Sequence, residues 1–101
     1  MQLIELFLPI YSNKNKKFSK ELFQQTYDEL VNKFGGLTVY SRVPMQGFWQ
    51  KNDKIVKDEL IIYEVMDENF SSHWWCEYRV CLEKRFQQER LIIRTHTIQL
   101  L

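Results

Sequence analysis

The sequence predicts an α+β domain: a ferredoxin-like β-α-β-β-α-β sandwich with a four-stranded antiparallel sheet and both helices on one face. Three observations predict it. Residues 20–34 and 69–87 carry apolar side chains at three- and four-residue spacing, the period of a helix. Residues 2–8, 37–43, 59–66 and 90–98 alternate, or run apolar over the length of a strand. The two kinds of segment follow one another as strand, helix, strand, strand, helix, strand, the order of the split-βαβ sandwich. At 101 residues, 45% apolar and 15% aromatic, the chain reads as one domain, 1–101, with a single core. That composition excludes a disordered chain, and three glycines with two prolines exclude a collagen-like one.

Each element has its own reasons. Residues 2–8 form an apolar run too short for a helix and ended by Pro9. Ser19 is the residue type that caps the helix following it. Leu22, Phe23, Thr26, Tyr27, Leu30, Val31 and Phe34 make that helix's stripe, and Gly35 stands where a left-handed C-cap is wanted. Residues 37–43 are rich in β-branched types and stop at Pro44. Within 45–58, the polar Lys51-Asn52-Asp53-Lys54 reads as a turn, giving an extra β-hairpin at the sheet end. Residues 59–66 are the plainest strand. Asp67, Glu68 and Asn69 provide helix-start chemistry for 69–87, where Phe70, Trp74, Tyr78, Leu82 and Phe86 recur every four residues. Trp75 and Cys81 widen that stripe, and a last strand covers about 90–98.

Side chains alternate across a strand, so each strand divides between a covered and an open face. With strands in the order four, one, three, two, the open face receives Leu3, Phe7, Leu60, Ile62 and Ile92. It also receives Glu5, Tyr40, Arg42, Glu64, Arg94 and His96. Glu5 falls beside the Arg94 and His96 strand, and Glu64 beside the Tyr40 and Arg42 strand, so cross-strand ion pairs are one reading. A small polar ligand site in an apolar surround is the other, with Trp49 of the hairpin as anchor or lid. Five large apolar groups on an open sheet call for a cover, and a homodimer through this face supplies one, with Ile62 at its centre.

Phe34-Gly35-Gly36-Leu37-Thr38, Gly47-x-Trp49, Asp58 before an apolar strand and Phe86-x-Gln88-Glu89 together form a pattern over about 18–95. The pattern resembles an uncharacterised family of small bacterial proteins, which implies an α+β domain and carries no established activity. Some members of the similar group are exported lipoproteins; this chain shows no lipobox. The glycines also have a backbone reason, a tight helix-to-strand reversal, and do not form a phosphate-binding GxGxxG. Gln88 and Glu89 suit the tying of loop amides at a helix end.

Other chemistries find less support. Fourteen basic residues against thirteen acidic leave a net charge of +1, so no overall field draws the chain to nucleic acid or membrane. The third strand lacks the aromatic motif of RNA-recognition modules, and Lys14, Lys16, Lys17 and Lys20 read as a solvated loop. His73 and Cys76 share a helix face but find no third metal ligand. Cys76 and Cys81, five apart on one helix, diverge by about 140° and cannot bridge. Two reduced thiols, no signal peptide and no membrane-spanning run give the expectation of a cytoplasmic protein. No cofactor is called for. The expectation is a homodimeric binding or interaction module with a small anionic ligand. The alternative is a cofactor-independent enzyme of the dimeric α+β barrel type, with His96 as general base and Tyr40 or Arg42 stabilising an anion.

Overall fold

A computed structural model describes residues 1–51 and 54–101, with side chains described for 1–40 and 60–101. Its elements are β1 (Gln2–Pro9), α1 (Lys20–Phe34), β2 (Thr38–Lys51), β3 (Lys54–Asp67), α2 (Ser72–Arg85) and β4 (Ile93–Thr97). The strands lie in the order β2-β3-β1-β4, all neighbours antiparallel, as the ferredoxin-like topology requires. The side chains of Arg42 and Trp49 fall outside the described residues.

The alternation read from the sequence places the core correctly. Ile4, Leu6 and Leu8 of β1, with Tyr63 and Val65 of β3, are buried against Leu30 of α1 and Trp75, Tyr78 and Leu82 of α2. Phe23, Ile61 and Ile93 pack on that cluster while staying half-buried. Phe86 is fully buried, with Phe18 edge-on at 5.4 Å and Phe23 tilted at 5.2 Å. Tyr63 points its hydroxyl at the Phe23 carbonyl, and burial pushes it up to about 12.

Several boundaries move. The hairpin expected over 45–58 is the distal part of β2 and β3, paired from Met45 with Leu60 to Lys51 with Lys54. β2 therefore does not stop at Pro44; the ladder shifts register between Tyr40 and Met45 and resumes. Proline is tolerated there because β2 is an edge strand, where a missing N–H leaves no ladder bond unmade. α2 begins three residues later than expected: Ser71 is its N-cap, accepting from the Trp74 amide at 3.2 Å. Asp67 instead accepts the Asn69 amide at 3.1 Å and the Trp75 indole N–H at 2.9 Å. Phe70 precedes the helix and is exposed, as are Tyr27 and Cys81, which the stripes had included. Ser19 caps α1 without a side-chain bond. At the end of α2, Gln88 donates its side-chain amide to the Phe86 carbonyl, while Glu83, not Glu89, accepts the Leu91 amide. Cys76 and Cys81 are free thiols. Among the described residues, no helix is long and apolar enough to cross a membrane.

Candidate functional site on the open sheet face

The face turned away from the helices carries a polar strip that runs across all four strands. Register builds it. Glu5 of β1 lies directly opposite Glu64 of β3 on one side and Arg94 of β4 on the other. Arg94 Nε donates to Glu5 Oε1 at 3.1 Å, and its guanidinium carbon stands 4.6 Å from the centre of the Phe7 ring. His96 Nδ1 is 3.9 Å from the same carboxylate oxygen. On β2, Tyr40 donates its hydroxyl to Glu64 Oε1 at 3.4 Å. The charge of Glu64 pushes the Tyr40 phenol upward, with desolvation and the bond to Glu64 acting in the same direction.

Two acids opposite one another repel unless cations are brought between them. Arg94 answers Glu5, whose side chain is only 16% exposed. Glu64 has Tyr40, a neutral donor, as its hydrogen-bond partner among the described side chains. Glu5, Glu64, Tyr40, Arg94 and His96 are thus brought into one strip, while an ion pair of Glu64 with Arg42 lies outside the described residues.

The strip does not bring His96 to Tyr40. Tyr40 is paired with Ile62, which is paired with Phe7, whereas His96 is paired with Leu3. Three strand spacings and a four-residue offset separate the two by roughly 20 Å of sheet. A general base and an anion stabiliser built from His96 and Tyr40 therefore do not meet within one chain.

The apolar part of the face also differs from expectation. Ile62 is only 7% exposed in the single chain, because the aromatic partners Phe7 and Tyr40 flank it in register. Among the described residues, the exposed large groups on this face are Tyr40, Met66 and Ile92. Met66 and the contact of Phe7 with Arg94 escaped the sequence reading. The available signal was the diagonal of an antiparallel pair, two residues from Glu5 on its own strand.

No protein-family model and no curated protein matches the chain. A phage SAM lyase, solved in complex with S-methyl-5'-thioadenosine, is similar in structure, with a TM-score of 0.61 and 14% sequence identity. The likeness covers 94% of this chain and 79% of that one. At this identity it is a likeness of fold.

Proposed function

We propose that this chain is a small-molecule-binding module whose open sheet face, covered by a second copy, takes up an adenosine-derived sulfonium or thioether. The observation that carries the reading is the facing pair of carboxylates, Glu5 and Glu64, served by one described guanidinium. Glu5 is answered by Arg94, whereas Glu64 has no cation among the described side chains, so their charge balance favours a cationic ligand over an anionic one. The fold neighbour is a lyase of SAM, a sulfonium compound, bound to the related neutral thioether. Met66, Ile92 and Phe7 supply apolar and polarizable surface beside the strip, the surround that a thioether and an adenine ring need. The exposure of Tyr40, Met66 and Ile92 supports a cover by a second copy.

Calorimetric titration with S-adenosylmethionine and with its demethylated thioether, which keeps the same amino-acid arm and lacks only the sulfonium charge and methyl, tests the reading. The sulfonium is expected to bind about two- to fivefold more tightly, the range of a partly exposed charge pair. Glu64→Gln should bring the two ligands to equal affinity. Binding of neither ligand, or equal binding by the wild type, overturns the reading.

A further inference from the structure

We infer that a cleft between the end of α1 and the start of α2, which touches the open face only at Met66, is a second binding site, for an organic cation carried on an apolar body. The cleft has a volume of about 780 Å³, the size of a pocket for a drug-sized molecule. Its walls are aromatic. Phe34, at the end of α1, stacks on Trp75 at 5.2 Å and meets Trp74 edge-on at 5.5 Å. Trp74 in turn stacks on Tyr78 at 4.9 Å, which fixes the plane of its indole. The floor holds Asp67, a carboxylate in a residue only 6% exposed, with Glu68 following it at the rim. Asp67 is hydrogen-bonded by Asn69 and Trp75, and no cation is paired with it among the described residues.

An aromatic face beside an acid attracts positive charge. The molecule displays this attraction itself. The Lys33 ammonium lies 4.5 Å from the Trp74 ring centre and 5.7 Å from that of Phe34. Lys33 forms no ion pair among the described residues, so the aromatic walls are what it rests on. It lies on the last turn of α1 and is exposed, so its side chain can swing out and leave the indole to another cation. Lys33 is therefore an internal competitor for the site. The chemistry selected is a weakly hydrated ammonium, above all an alkylated one, which loses less hydration than lysine on meeting the rings.

The test uses choline and its neutral analogue, in which carbon replaces the quaternary nitrogen, followed by NMR at the indole N–H of Trp75. Choline should shift that resonance and the neutral analogue should not. Lys33→Met should raise the affinity for choline about two- to fivefold, the worth of an exposed cation–π contact, while Lys84→Met, on α2, should not. Trp74→Leu should abolish binding, and because it could also loosen the helix packing, the surface change at Lys33 is the deciding variant. Glu64→Gln should leave choline binding intact, which separates this cleft from the open face. Equal response to the neutral analogue, or unchanged affinity in Lys33→Met, overturns the inference.

Discussion

Gly35 ends α1 with φ at 82°, a left-handed conformation, and its amide bonds back to the Val31 carbonyl at 2.8 Å. A Cβ there would meet nothing within 4 Å, so the whole cost of a side chain is conformational. Gly35→Ala should lower stability by about 1 kcal/mol in urea unfolding, with no change in the slope. Leu82 poses the opposite case. It is fully buried where α2 meets the sheet, and Leu82→Ala should cost about 2–5 kcal/mol in the same measurement. Both residues were legible in the sequence, one from its place after an apolar stripe and the other from its place within one. Ile62 was legible as an open-face residue but not as a buried one. Its exposure depends on which side chains two neighbouring strands set beside it, and that requires the register.

At the scale of elements, the two helices are joined by a polar clamp that their stripes do not announce. Arg85 of α2, with a side chain only 8% exposed, donates both terminal nitrogens to the Glu29 carboxylate of α1 at 2.8 and 2.9 Å. It also reaches Thr26, and Tyr78 donates its hydroxyl to Glu29 at 2.8 Å. The Arg85 bond holds the Glu29 carboxyl below the usual carboxylate range, against a smaller opposing effect of burial. A carboxyl depressed in the folded state stabilises the fold above its unfolded pKa. That stabilisation is lost as pH falls through the folded value. Unfolding measured from about pH 6 down to about pH 3 should therefore show a steeper loss in the wild type than in Glu29→Gln. Periodicity revealed that helices exist here and which faces they bury. It could not show that Glu29 and Arg85, 56 residues apart, would meet, nor that Asp67 would turn from helix cap to indole acceptor. Ser71 offered the better cap, and Trp75 needed a partner for its buried N–H.

For the whole molecule, the strand order joins residues distant in sequence into one polar strip with apolar shoulders. If a second copy covers that face, sedimentation at micromolar concentration should give a dimer. Ile92→Lys should then release a monomer of unchanged fold, because Ile92 is 57% exposed; Ile62→Lys would instead disturb the chain itself. The binding face is tested most directly by a crystal structure grown with S-adenosylmethionine. A sulfonium or its thioether is expected on the open sheet face, with the sulfur beside Glu5 and Glu64. A ligand held elsewhere, with that face bare and no second copy against it, would overturn the proposed site.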